Sequence, residues 1–572
     1  MTKAWGAAPI DGDRWRFGLW APDARRVAIE LGASVLAARP AGDGWWQLDT
    51  KAQADDAYRW VVDGGAYPDP AARAQTGDVH GPSRLVDPSR FVWQQEWPGL
   101  PWHEAVIYEL HIGTFTAEGT FAAAIDHLPR LRDLGITMIE LMPVGQFDGA
   151  HGWGYDGVLP YAPHPAYGTP DDLRALVDAA HGQGMGVLLD VVYNHFGPSG
   201  NYLAAWNPAF FHEGRPSPWG QGIAFETPAV REFFIANALH WLDEYRFDGL
   251  RLDAVHAIED HSAKHFLDEL GDRIRSHVAG RPVHLITEDE RNLARYFTPE
   301  APFDATWNDD WHHAVHCLLT GEDESYYASF AVNPIGDIAA ALADGYVEQG
   351  QTSRNGKPRG EPCGHLPRTA FVNFLGNHDQ VGNRARGERL HQLAPDKHAL
   401  RVVTALTLLS PFVPMLFMGD EFLTSAPFQF FADFSGDLAE AVRKGRAEEF
   451  AGFASFGGEV PDPIARETFL ASKIGEPDRP EQWEHEQFIH GLLTLRAEHV
   501  APLLAQNPNP VAAVYRTGPQ IEAQWAFGPT ALLVRARLGA GEGTDFKPHP
   551  APILQLSDPS SPFAFSAAVT AL

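Results

Sequence analysis

The hydrophobic and polar positions change rhythm twice along the chain. Near the N-terminus, RWRFGLW (14–20), RRVAIEL (25–31), GWWQLDT (44–50) and AYRWVVDG (57–64) alternate apolar and polar residues between Pro, Asp and Gly turns. A period of two marks half-buried strands, so residues 1–95 are expected to form a small β-sandwich. A Pro-rich stretch, Val86–Trp102, reads as a linker.

Longer apolar runs follow: AVIYELHIGTF (105–115), ITMIELMPV (136–144), GVLLDVVYNH (186–195), FDGLRLD (247–253), VHLITE (283–288), FDATWNDD (303–310), TAFVNFLGNHD (369–379) and VPMLFMGDEF (413–422). These are eight strand candidates, mostly alternating with helical stretches. After the first, Phe121, Ile125, Leu128, Leu131 and Leu134 fall at helical spacing, and Thr169–Pro170 and Thr227–Pro228 each pair an N-cap with a first-turn proline. Repeated β–α units over residues 96–495 predict an α/β fold, a (β/α)8 TIM barrel, with a doubly wound sheet as the alternative. A short insertion is expected at about 196–226. From 496 to 572 the pattern returns to strands (PVAAVYRT, IEAQWAF, TALLVRARL), predicting a small C-terminal β domain.

Composition narrows the function. A formal charge of −30 on 572 residues argues against a nucleic-acid partner, which needs a basic surface. No run of about eighteen apolar residues is present and the first residues lack a signal-peptide core, so a soluble cytoplasmic protein with no membrane partner is expected. Two cysteines, Cys317 and Cys363, suit a reducing compartment. Seventeen tryptophans serve large cores or sugar-stacking platforms; Trp20, Trp45 and Trp46 could form such a platform, or a sandwich core.

In a (β/α)8 barrel the chemistry lies at the C-terminal strand ends. Those ends carry Asn194–His195, Arg251 and Asp253, Glu288, and His378–Asp379. Arg251 and Asp253, two apart on a strand, face the same way, which lets the guanidinium orient the carboxylate and favour its ionised form. Two carboxyls flanking a glycosidic bond are the minimum for its cleavage, one as nucleophile and one as proton donor. Asp289 stays open as the alternative acid.

DVVYNH (190–195), GLRLD (249–253), ITE (286–288) and FLGNHD (374–379) together resemble, in order, the four sequence regions of the α-amylase superfamily. The resemblance implies a retaining mechanism with Asp253 as nucleophile, Glu288 as general acid/base and Asp379 as transition-state stabiliser. It also implies that His195, Arg251 and His378 hold the sugar at the cleavage point and that Tyr155 stacks beneath it. The insertion after the third strand is shorter than the calcium-bearing domain of typical α-amylases, so neither metal nor cofactor is expected.

Finer motifs, DAVHAI (253–258), WNDDWHHAVH (307–316), VRKGRAEEF (442–450) and VPDP (460–463), resemble the malto-oligosyltrehalose trehalohydrolase pattern. That resemblance implies hydrolysis of the α-1,4 bond next to a terminal trehalose unit, and functional pairing with a malto-oligosyltrehalose-forming enzyme. Asp309, Asp310 and His312 are then expected to contact sugar beyond the cleaved bond. His256, His313, Asn377 and Gln380 complete the expected substrate-binding set. His312 and His316, four apart, have zinc-ligand spacing if helical, but lack the glutamate of an HExxH motif. Two other readings stay open: a branching or debranching enzyme or other glucan transferase using the same carboxylates, and a non-catalytic glucan-binding protein. APFQFF (426–431) reads either as a groove wall or as barrel packing.

Overall fold

The computed structural model describes residues 3–217, 220–298, 300–352, 356–450, 460–541 and 545–572. Its centre is a closed barrel of eight strands in chain order: β1 (Ile107–Leu110), β2 (Met138–Leu141), β3 (Gly186–Val191), β4 (Gly249–Leu252), β5 (His284–Thr287), β6 (Ala305–Trp307), β7 (Phe371–Phe374) and β8 (Val413–Phe417). Every neighbouring pair is parallel, and β8 returns to β1 with Met415 opposite Ile107. That closure removes both sheet edges and with them the doubly wound alternative.

The inward positions change character up the strands. Ile107, Met138, Leu188, Ile286, Val413 and Met415 fill an apolar layer inside the barrel. Two residues further along β1, β2 and β3 stand Glu109, Glu140 and Asp190, and β4 contributes Arg251. With a period of two, one strand thus supplies both a greasy floor and a charged rim. β4 starts at Gly249, where a Cβ would lie 2.0 Å from the carbonyl oxygen of His284; close approach to β5 requires glycine there.

The apolar helix expected after β1 is two pieces, Phe121–Ile125 and Leu128–Leu134. Pro129, at the start of the second piece, has no N–H to continue the ladder, and the chain breaks at Asp126–His127. Thr169 caps Pro170–Gly182 through a reciprocal capping box with Asp172, and Pro228–Glu244 begins after Thr227. The insertion after β3 holds a short helix, Leu203–Trp206, and two antiparallel strands, Phe211–Ser217 and Gly220–Ile223; residues 218 and 219 of that expected segment lie outside the described residues.

Before the barrel, two antiparallel sheets face each other, with Phe17, Ile29 and Trp60 fully buried between them. Trp20 and Trp45 are also buried, edge-on to Trp5 at 6.5 and 5.3 Å. Trp5 in turn meets Phe233 of the helix Pro228–Glu244 at 5.1 Å and donates its Nε1–H to the carbonyl of Ala229. Trp20 and Trp45 therefore join the sheets to the barrel and are no glucan platform, while half-buried Trp46 donates to the Ala21 carbonyl.

At the other end, one five-stranded antiparallel sheet runs from Val511 to Ala571. Residue 496, where the strand-like pattern was expected to begin, lies inside continuous helix: Pro480–Leu495 passes through Arg496–Val500 into Ala501–Gln506. Buried Arg496 fixes this run by donating to the carbonyls of Leu408, Ser410 and Phe412. No helix of the described residues is long and apolar enough to cross a membrane.

Because Trp5 fills the seam between sandwich and barrel, Trp5→Ala is expected to destabilise the protein by about 3–5 kcal/mol. A urea titration would show this as a lowered midpoint, and an unchanged midpoint would mean that the seam carries no stability.

Candidate active site

Asp253 and Glu288 are the residues immediately after β4 and β5, and they extend those strands. The Asp253 N–H donates to the Val191 carbonyl at 3.1 Å, and the Glu288 N–H to the Leu252 carbonyl at 3.0 Å. Between them runs the guanidinium of Arg251, fully buried. Its Nη1 donates to Asp253 Oδ1 at 2.9 Å and to Asp190 Oδ2 at 2.6 Å, and its Nη2 to Glu288 Oε2 at 2.6 Å. The cation also lies 3.9 Å over the ring of Trp307 from β6. Arg251 therefore does not touch the cleft; it holds the carboxyls that do.

Two backbone details complete the arrangement. Ala254 has φ of 40°, in the left-handed region that a residue with a Cβ adopts at a cost. That turn aims its N–H at Glu288 Oε2, 3.0 Å away. Asn194 donates its side-chain amide to Asp253 Oδ2 at 2.8 Å and to the Asp253 carbonyl at 2.9 Å. Asp253 thus receives donors on both oxygens, and on Glu288 both donors go to Oε2.

The third carboxylate arrives on a short helix. After β7, Asn377 caps His378–Gly382, its Oδ1 accepting from the N–H groups of Asp379 and Gln380. Asn377 is buried, so its part is to orient Asp379. His378 donates Nδ1–H to Glu109 and stands with Nε2 3.4 Å from Asp379 Oδ2. Burial opposes its charge, but Asp379 and Glu109 outweigh that and raise its pKa to about 9. Tyr155 stacks on its ring at 5.0 Å and donates its hydroxyl to Asp190 at 2.6 Å. His195 is neutral, its pKa lowered to about 4 by burial, and its Nε2 contacts the Tyr155 carbonyl at 3.1 Å.

These groups open on one cleft of about 1120 Å³. Asp253, Glu288 and Asp379 line it together with Tyr155, His195, His256, Asp309, His313, His378 and Gln380. Asp289 does not: it is buried, and Arg291 takes both its oxygens at 2.7 Å. Glu288 is the carboxyl that this strand end presents to the cleft.

The helix Asp309–Thr320 divides its motif between two faces. Asp309 and His313, four apart, look into the cleft, whereas Asp310 and His312 do not. Burial, followed by repulsion from Glu288, raises the Asp309 carboxyl to about 7. Asp310 is fully buried and saturated, accepting from Arg359, Asn292 and the N–H groups of Val347 and Glu348. It pins the segment that brings Glu348 and Arg359 to the cleft and, being fully buried, presents no oxygen to sugar. His312 lies between the Leu375 carbonyl and the Tyr327 hydroxyl, and His316 bonds Glu322 at 2.8 Å. Both rings are occupied by protein, so the expectations of sugar contact by Asp310 and His312 are corrected to a supporting role.

Sequence reasoning missed several wall residues: Trp153, Asp156, Tyr326, Phe330, Glu348 and Arg359. Tyr326 and Phe330 stand in SYYASF, an aromatic patch that carried a usable signal; the charged ones sit in loops with no local pattern. Of APFQFF, Phe430 reaches the cleft while Phe428 and Phe431 are buried packing.

A histidine whose charged form is favoured in the fold contributes stability fully below its ordinary value of 6.5, and that stability is lost as pH rises through about 9. The same charge braces Asp379. The kcat/KM of the enzyme activity is therefore expected to fall as pH rises through about 9, with that limb missing from the residual activity of His378→Asn. A limb that survives the substitution would assign it to another group.

Residues 69–208 match the alpha amylase catalytic domain. A malto-oligosyltrehalose trehalohydrolase from Deinococcus radiodurans is 42% identical over 547 residues, covering 94% of this chain and 88% of that protein. Another from Rhizobium sp. strain M-11 is 42% identical over 523 residues, covering 87% of each chain. The crystal structure of a Salmonella typhimurium protein described as of alpha amylase type superposes with a TM-score of 0.94 at 46% identity, covering 100% of both chains. On this identity, carried across nearly the whole length, the chain belongs to the malto-oligosyltrehalose trehalohydrolases of the α-amylase family.

Proposed function

We propose that the protein hydrolyses the α-1,4-glucosidic bond next to the terminal trehalose unit of malto-oligosyltrehalose, releasing trehalose with retention at the cleaved carbon. The observation that carries the reading is the single guanidinium of Arg251, buried beneath the cleft and bonded to both Asp253 and Glu288. Two carboxyls on adjacent nitrogens of one group fit the short gap of ~5–5.5 Å that retaining enzymes use, against ~6.5–9.5 Å for inversion. The relatives' description as malto-oligosyltrehalose trehalohydrolases supports the choice of substrate.

In this mechanism Asp253 attacks the sugar carbon and forms a glycosyl-enzyme while Glu288 protonates the departing oxygen. Glu288 Oε2 is committed to Arg251 and to the Ala254 N–H, which leaves Oε1 to carry the proton. Water, deprotonated by the same carboxyl, then releases the sugar. Asp379 stabilises the positive charge on the ring in both steps, with His378 fixing its orientation. Tyr155 and His195 line the cleavage position, and Asp309, His313, His256 and Gln380 the neighbouring wall. The substrate is supplied by an enzyme that converts the reducing end of a maltodextrin into a trehalosyl end. A cytoplasmic site of action belongs to the same reading, supported by the free thiols of Cys317 and Cys363.

Incubation with maltotriosyltrehalose and, separately, with maltopentaose is expected to give free trehalose far faster than maltodextrin cleavage. Longer or branched glucans without trehalose would replace the hydrolase by a transferase. Asp253→Asn should keep binding and reduce turnover by roughly a thousandfold or more, measured as kcat at saturating substrate. Glu288→Gln should impair malto-oligosyltrehalose far more than an α-glucosyl fluoride, whose leaving group needs no proton; equal losses on both would remove Glu288 from the acid role.

A further inference from the structure

One ionisable group inside the barrel has no part in the chemistry described so far. Glu140 points inward from β2 beside its register partner Glu109 on β1, and it is 1% exposed. Neither of its oxygens has a hydrogen-bond partner among the described residues. The charged groups that face it are Glu109 from β1, Asp190 from β3, Arg251 from β4 and His378 from the helix after β7. Both cations are already committed: Arg251 to Asp190, Asp253 and Glu288, and His378 to Glu109 and Asp379. The Nε–H of Arg251 makes no hydrogen bond, to Glu140 or to any other described residue. An anionic Glu140 would be a buried charge with no counterion, which is strongly unfavourable.

The same cluster contains one other buried carboxylate oxygen without a donor among the described residues, Asp190 Oδ1; Asp190 Oδ2 takes both Arg251 and the Tyr155 hydroxyl. Two orphaned acceptors become a donor and an acceptor when one proton is added. We propose that Glu140 is held as the neutral acid and donates its O–H to Asp190 Oδ1, which makes it a positioning residue for the Arg251 clamp. Burial and repulsion from Glu109 and Asp190 act in the required direction, pushing the Glu140 carboxyl well above its usual range. With Oδ1 satisfied, Asp190 is fixed where Oδ2 anchors Arg251, and the guanidinium is aimed at Asp253 and Glu288. A neutral Glu140 also adds no fourth carboxylate to the three that already share the charge of Arg251.

The activity readout rests on the proposed roles of Asp253 and Glu288; the spectroscopic one does not, so failure of either reading is recognisable. Glu140→Gln keeps a neutral donor and Glu140→Leu keeps bulk without one. The Gln variant is expected to hold kcat within about threefold and to leave the limb of the kcat/KM profile near pH 9 in place. The Leu variant should lose on the order of tenfold or more in kcat with little change in KM. In infrared difference spectra, wild type minus Glu140→Gln should show a carboxylic-acid C=O band at neutral pH. A carboxylate band there instead, or a pH limb displaced by the Gln substitution, would make Glu140 an anion and overturn the proposal. If the Leu variant does not fold, the infrared comparison decides alone.

Discussion

The site is organised around a buried positive charge. A guanidinium withdrawn from water is tolerated only when its charge and donors are met inside the protein, because desolvation costs several kcal/mol before any contact is made. Arg251 meets that demand with Asp190, Asp253 and Glu288 on its nitrogens and the face of Trp307 against its plane. These partners come from β3, β4, β5 and β6, so half of the barrel is brought to a common register by one side chain. The carboxyls proposed to do the chemistry are thus also the counterions that make the arginine affordable. On that proposal, removing either is expected to change stability and turnover together, so their substitution calls for binding and folding to be measured alongside turnover.

Around this centre the protein separates groups that touch the cleft from groups that hold them. Asn377 orients Asp379, Glu109 holds His378, and Asp310 anchors the backbone that carries Glu348 and Arg359. The helix Asp309–Thr320 shows the separation within a single turn, with one acidic residue facing the cleft and the next buried in a fully satisfied network. Buried polar networks of this kind give rigidity when every member is paired, and here they supply the fixed wall against which a flexible oligosaccharide can be oriented.

Much of this was legible in the chain itself. The eight apolar runs gave the barrel strands because strands buried on both faces must be hydrophobic almost throughout. The two-residue spacing of Arg251 and Asp253 placed them on one face, and the structure joins them at 2.9 Å. What stayed illegible was the rotation of elements about their own axes. The DDWHH segment advertises polar groups, but helical spacing alone does not say which stripe meets the cleft; Asp309 and His313 do, and His312 and His316 turn to Tyr327 and Glu322. Trp20 and Trp45 posed the same ambiguity, resolved by Trp5, a residue outside their own strands. The helical run through residue 496 was hidden because its anchor, Arg496, reads as a surface charge until the Leu408, Ser410 and Phe412 carbonyls are brought to it.

The long sequence spans of these contacts have a bearing on synthesis. The clamp joins residues 61 and 37 positions apart, but the bond that sets His378 reaches back 269 positions to Glu109, and Tyr108 on the same strand reaches 313 positions to Glu421. A growing chain therefore carries its first strand through most of translation before the groups that complete it exist. Until then Glu109 and the inward face of β1 are exposed as an unfinished sheet edge, the kind of surface that partial chains use to misassociate. Catalytic competence in this architecture arrives only with barrel closure, so the appearance of activity during refolding would time the joining of the barrel's first and last strands.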